Sequence, residues 1–296
     1  MQPSQDQQDL FSLIQHDGGD NSISRRRFLH TALGAGFAAA ALPVCAQTMI
    51  TTPDTGLVTG QFSVDVQGQA VPVYLAKPAK GSNFPVILVT SEIFGVHAHI
   101  ADVARRFAQA GYLAVAPDLF VRQGNPAAYP TIAELISQVI NKVPDQQVMQ
   151  DLDAVLAWTK TQGGDISRAA ITGFCWGGRI TWLYAAHNPS IRAGVAWYGR
   201  LTGNQSALNP QHPVDIAAGL RVPVLGLYGA KDTGIPLSSV EAMQKALAQG
   251  KSQSAFNVYP DSGHAFHADY RPSYVEADAR DGWQRCLQWL RDHQAV

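Results

Sequence analysis

The sequence predicts an α/β fold, doubly wound around a mostly parallel sheet, with an antiparallel hairpin on its N-terminal edge. Three observations carry this. From residue 85 onward, short apolar runs alternate with stretches of helical period, as strand–helix–strand units do. Before that, two segments alternate apolar with polar residues around a Gln-Gly turn, the pattern of a half-exposed hairpin. Finally, Ile171-Thr172-Gly173-Phe174-Cys175-Trp176-Gly177-Gly178-Arg179 reads as strand, sharp turn and helix, with a cysteine at the apex and a glycine two residues to either side.

The elements follow in order. Leu57–Val66 and 70–76 form the edge hairpin. Residues 85–90, Pro-Val-Ile-Leu-Val-Thr, suit a strand covered on both faces, and Ser91-Glu92-Ile93-Phe94-Gly95 ends it. A helix runs over 98–110, and Gly111 caps it. Residues 112–116 form the next strand, closed by Pro117-Asp118, and 119–130 is a loop carrying Arg122 and Tyr129. Helices follow over 131–142 and 145–161. Strand 169–173 leads to the apex cysteine and to a helix reaching His187. Strand 193–198 precedes an irregular stretch, 199–220. Strand 223–228 ends at Gly229-Ala230-Lys231-Asp232, and a helix follows over 237–249. Ala255–Tyr259 is the last strand and leads to Asp261-Ser262-Gly263-His264. A final helix over about 273–293 turns Tyr274, Ala277, Trp283, Leu287 and Leu290 to the core. With no internal repeat and no linker after residue 50, 47–296 is expected to be one domain.

Residues 1–46 are of another kind. The first 22 are polar, and Ser24-Arg25-Arg26-Arg27-Phe28-Leu29-His30 then precedes a small-residue apolar run, 31–44, too short to span a bilayer comfortably. Val44-Cys45-Ala46 resembles a cleavage site. Together these resemble an export signal of the twin-arginine type, which implies the twin-arginine translocation machinery as a partner and a periplasmic or secreted protein. Lipid anchoring at Cys45 is the alternative.

Composition narrows the rest. A net charge of −1 leaves no basic excess for nucleic acid, and three cysteines cannot make a disulfide framework. No paired Cys/His spacing suggests zinc, so no metal and no cofactor is expected. A monomer is the expected state.

In open parallel sheets ligands bind beyond the carboxyl ends of the strands. Glu92, Arg122, Cys175, Asp232 and His264 all fall just after predicted strand ends. A thiol needs a base to become a nucleophile, and the base needs an acid to fix its tautomer. Cys175, Asp232 and His264 occur in the nucleophile–acid–histidine order of α/β-hydrolases, and Gly173 to Gly177 matches their nucleophile elbow with cysteine in place of serine. Backbone N–H groups of Trp176 and Ile93 are placed to form an oxyanion hole, and Tyr198 to line the pocket. Taken singly, Cys175 also fits a buried turn cysteine, Asp232 a turn or helix-capping acid, and His264 a surface histidine.

Six stretches carry a resemblance. They are Glu92-Ile93-Phe94-Gly95-Val96, Pro117-Asp118-Leu119-Phe120-Val121-Arg122-Gln123, Gly173-Phe174-Cys175-Trp176-Gly177-Gly178, Trp197-Tyr198-Gly199, Tyr228-Gly229-Ala230-Lys231-Asp232 and Gly263-His264-Ala265-Phe266. The pattern resembles dienelactone hydrolases (carboxymethylenebutenolidases), a cysteine-nucleophile branch of the α/β-hydrolases. The resemblance implies an α/β-hydrolase fold, a small-molecule ester or lactone as substrate, and a thioester acyl-enzyme. It also implies a Glu92 that pairs with the nucleophile and takes its proton when substrate binds, and an Arg122 that holds a substrate carboxylate. The family's second carboxylate-binding arginine falls at Ala268, and Arg271 is the nearby substitute. The rival reading is a non-catalytic binding or thiol redox-sensing protein on the same fold, with Cys175 oxidised or paired to Cys286.

Overall fold

The computed structural model describes residues 49–296. The expected export signal over 1–46, Cys45 included, lies outside the described residues. An eight-stranded sheet runs in the order β1-β2-β4-β3-β5-β6-β7-β8. Its strands are β1 (Leu57–Val66), β2 (Gln69–Pro78), β3 (Phe84–Thr90), β4 (Leu113–Pro117), β5 (Gly164–Phe174), β6 (Ala193–Trp197), β7 (Val224–Gly229) and β8 (Ala255–Tyr259). The helices are α1 (Ala98–Gln109), α2 (Ile132–Gln138), α3 (Asp145–Thr159), α4 (Trp176–His187), α5 (Pro213–Ile216), α6 (Leu237–Leu247) and α7 (Glu276–Asp292).

The N-terminal hairpin is antiparallel from Leu57 opposite Pro78 to Val66 opposite Gln69. Its turn residues Gln67 (φ 56°) and Gly68 (φ 83°) are both left-handed, which matches the turn to the strand twist. β2 also runs antiparallel to β4, and the remaining pairs from β4 to β8 are parallel. Every residue of β4, β6 and β7 is buried, as the continuous apolar runs require of strands covered on both faces. This is the α/β-hydrolase-like sheet that the alternating pattern predicts.

Four elements differ from expectation. β5 starts at Gly164 and reaches eleven residues, so its first half extends the sheet beyond the apolar core. The helix expected over 131–142 stops at Val139, whose φ of −119° turns a buried side chain inward before a short 3₁₀ turn at Ile140–Lys142. The irregular 199–220 stretch contains α5, started by a Pro and by a capping box between His212 and Asp215. The last helix starts at Glu276, and Ala279, Gly282, Cys286 and Leu290 are its buried residues, with Trp283 and Leu287 only partly covered. Gly282 explains the phase: a Cβ there would lie 2.6 Å from Trp197, so the helix crosses the sheet at its glycine.

Candidate active site

The elbow is built by contacts too close for side chains. Cys175 follows β5 with φ 54° and ψ −114°, a left-handed backbone that a non-glycine residue holds only under restraint. Its N–H donates to Trp197 O (3.0 Å), and its carbonyl accepts from Gly178 and Arg179 at the start of α4. A Cβ on Gly173 would lie 2.0 Å from Thr90 Oγ1, one on Gly177 2.4 Å from Thr90 O, and one on Gly178 2.6 Å from Trp197 O. Gly177 N–H donates to Ser91 O (3.1 Å), which fastens the elbow to the loop after β3. The outcome is a partly exposed thiol at the N-terminus of α4.

Asp232 and His264 come together from the loops after β7 and β8. Ala230 and Lys231 N–H groups donate to Tyr259 O and Ser262 O and hold those loops side by side. His264 Nδ1 lies 2.7 Å from Asp232 Oδ2. The other carboxylate oxygen accepts from Gly234 N (2.9 Å) and Ile235 N (3.0 Å), so the acid is fixed at both ends. Asp232 therefore fixes the orientation of the imidazole through Nδ1. Nε2 is buried on the Cys175 side of the ring. Burial opposes a charged imidazole here, but Asp232 and Cys175 outweigh it and push His264 up to about 10.

Ile93, Trp176, Tyr198 and Ile235 wall the cleft over Cys175 and His264. The amides of Ile93 and Trp176 donate to no acceptor among the described residues. Tyr198, buried at φ 38°, keeps its hydroxyl out of any hydrogen bond in that set, and burial raises its pKa well above the phenol range. Asn141, Arg179, Arg200, Asn209 and His212 form the polar side of the cleft, and none of the described residues that line it is a carboxylate. Arg179 is held there by a bidentate pair with Asp145 (2.6 and 2.7 Å).

Two residues sit apart from their expected places. Arg122 does not reach the cleft. It makes a bidentate pair with Asp151 of α3 (2.6 and 2.9 Å), a carboxylate with no exposure, which claims the guanidinium. Glu92 is buried at 1 % exposure, and its carboxylate bonds Tyr270 and Arg271 rather than Cys175. Burial raises its pKa, but Arg271 and the Tyr270 hydroxyl bring it below the usual carboxylate range. Arg271 thus arrives beside Glu92 three residues beyond Ala268, stacked over Phe94 (5.4 Å), while Ala268 packs in the core.

Sequence reasoning missed Tyr270, Arg179 and Arg200. Arg200 had a signal, since it follows the end of β6; Arg179 lay inside the elbow motif, and Tyr270 had none. Cys286 is fully buried in α7, burial raises its thiol, and both described cysteines are free, so the pairing with Cys175 is not made.

The chain as a whole resembles known proteins. A family model, the dienelactone hydrolase family, matches residues 71–294. A Methylorubrum extorquens protein named "Putative carboxymethylenebutenolidase" is 54 % identical over 273 residues, covering 92 % of this chain and 94 % of its own. A Bradyrhizobium protein named "Probable 2-oxo-3-(5-oxofuran-2-ylidene)propanoate lactonase" is 31 % identical over 232 residues, 78 % of this chain and 92 % of its own. Among solved structures, "Putative Dienelactone Hydrolase from Klebsiella pneumoniae" superposes with a TM-score of 0.79 at 53 % identity, over 79 % of this chain and 98 % of that one. With most of its length matched by the family model and by relatives this similar, the chain belongs to the dienelactone hydrolase family, hydrolases of esters and lactones.

Proposed function

We propose that this protein cleaves a lactone or carboxylic ester through a Cys175–His264–Asp232 triad and a thioester acyl-enzyme. The observation that carries the reading is the strained Cys175 at the end of β5, facing a His264 whose Nδ1 is held 2.7 Å from Asp232. Cys175 Sγ, its proton passed to His264 Nε2 or to Glu92, attacks the carbonyl carbon. Ile93 and Trp176 N–H groups hold the oxyanion. The tetrahedral adduct collapses, the C–O bond breaks, and the alkoxide leaves with the proton from the site. In a lactone it stays attached as the ring-opened hydroxyl. Water then gives a proton to His264 Nε2 and attacks the thioester, and the carboxylic acid is released as the thiol re-forms. Each step needs only groups this chain supplies.

The polar side of the cleft, lined by Asn141, Arg179, Arg200, Asn209 and His212, suits a substrate that carries a polar group. Substitution of Cys175 with Ala tests the assignment: hydrolysis of an aryl ester is expected to fall to background while the fold persists. Retained turnover in Cys175→Ala overturns the triad.

A further inference from the structure

Three consecutive side chains on the loop after His264 turn inward. Asp269 accepts from Arg106 of α1 and pairs with His99 Nδ1 (3.1 Å). Tyr270 Oη donates to Glu92 Oε2 (2.5 Å), and Arg271 Nη1 reaches Glu92 Oε1 (3.5 Å). The loop backbone is closed by Ala268 N to Ala265 O, Arg271 N to Ala268 O and Val275 N to Phe266 O, and Asp269 ties it to α1. What the two neighbours accomplish is to occupy both oxygens of one buried carboxylate next to the nucleophile. We propose that Tyr270 is a positioning residue for Glu92: together with Arg271 it holds the carboxylate by one oxygen each, as an anion set beside Cys175 rather than bonded to it.

The division of labour follows from chemistry. Arg271 supplies the counter-charge without which a buried anion is not tolerated. Tyr270 supplies a neutral donor, which fixes direction without cancelling charge. A carboxylate with one oxygen free turns toward any nearby proton. With both occupied it stays in place until a substrate disturbs the clamp. Ile93, the residue after Glu92, lines one cleft with Cys175 and Tyr198, and Ser91, the residue before it, accepts from Gly177 N–H of the elbow, so the backbone that carries Glu92 is fastened beside the nucleophile.

Among the described residues Tyr198 also faces Glu92 from the end of β6, and His97 and His99 face it from the start of α1. His97 is driven down to about 3 by burial and then by His99, so it is neutral in the working range. His99 is committed to Asp269. Burial opposes the anion, and of the groups that favour it Arg271 and then Tyr270 act most strongly. Both favour the anion, so loss of the Tyr270 hydroxyl raises the pH at which Glu92 protonates.

The proposal rests on the hydrolase reading above and is tested with Tyr270→Phe, which removes one hydroxyl. The acid limb of kcat/KM for an aryl ester, followed from about pH 4 to pH 8, is expected to move up by about one unit, close to tenfold lower activity on the limb and little change at the plateau. In a Glu92→Gln background, Tyr270→Phe is expected to change nothing further. A folded Tyr270→Phe enzyme with the wild-type profile, or one slowed equally at every pH with effects that add to those of Glu92→Gln, overturns the proposal. If Tyr270→Phe does not fold, 2,3-difluorotyrosine at position 270 keeps the shape and donates more strongly. It is expected to move the limb down, and an unmoved limb overturns the proposal. Cys175→Ala separates the two levels: activity in that variant removes the hydrolase reading itself, whereas a dead Cys175→Ala with an unmoved limb in Tyr270→Phe removes only the clamp.

Discussion

At the scale of the residue, the proposed chemistry rests on how few degrees of freedom Asp232 leaves to His264. One carboxylate oxygen faces Nδ1, and the other is taken by the Gly234 and Ile235 amides. Asp232→Asn preserves the shape but turns an N–H toward Nδ1 or reverses the tautomer, so Nε2 no longer accepts from the thiol. A fall in kcat of roughly 10²–10⁴-fold is expected, read by steady-state hydrolysis with a matched melting temperature. A loss of less than about tenfold contradicts the orienting role. Elsewhere the same scale explains where an expected charge went. Arg122 sits within 3 Å of a carboxylate with no exposure, and leaving Asp151 alone in the core costs more than leaving a cleft without one arginine.

Elements meet at this site through glycine. β5 and α4 lie so close to β3 and β6 that Gly173, Gly177 and Gly178 each face backbone or a buried hydroxyl where a Cβ would be. The strain at Cys175 survives because those contacts over-determine the turn. Gly177→Ala is therefore expected to destabilise the protein by about 3 kcal/mol or to prevent folding, since Thr90 and Ser91 backbone atoms cannot move aside. Gly219→Ala, with nothing within 4 Å of its new Cβ, is expected to change stability by less than about 0.5 kcal/mol. Equal melting temperatures for the two variants contradict this account of the elbow. The same close approach, at Gly282 against Trp197, fixed the phase of α7 against the expectation from its apolar residues. A hydrophobic stripe read from sequence counts side chains, and a helix that docks through a glycine is invisible to that count.

For the molecule as a whole, the sheet gathers residues that are far apart in sequence. Its order brings the carboxyl ends of β3, β5, β7 and β8 to one edge, and Glu92, Cys175, Asp232 and His264 follow those ends. That much was legible, because parallel strands with covered faces have a strong apolar pattern and the loops after them have a fixed side. The partners were not. Glu92 was expected against the thiol and is found between Tyr270 and Arg271, because the fold of the loop after His264 depends on Asp269 anchoring to α1, a contact 170 residues away in sequence from His99. Arg271 was legible only as a residue near Ala268, since spacing alone cannot say which of two side chains turns inward.

The central claim is that Cys175 carries the acyl group. The most direct measurement is the intact mass of protein quenched in acid during turnover of an aryl ester or lactone, followed by peptide mapping. The account predicts an added acyl mass on the peptide containing Cys175, released by hydroxylamine at neutral pH as a thioester is, and absent in Cys175→Ala. Turnover without such an adduct in the wild type, together with undiminished turnover in Cys175→Ala, would contradict it.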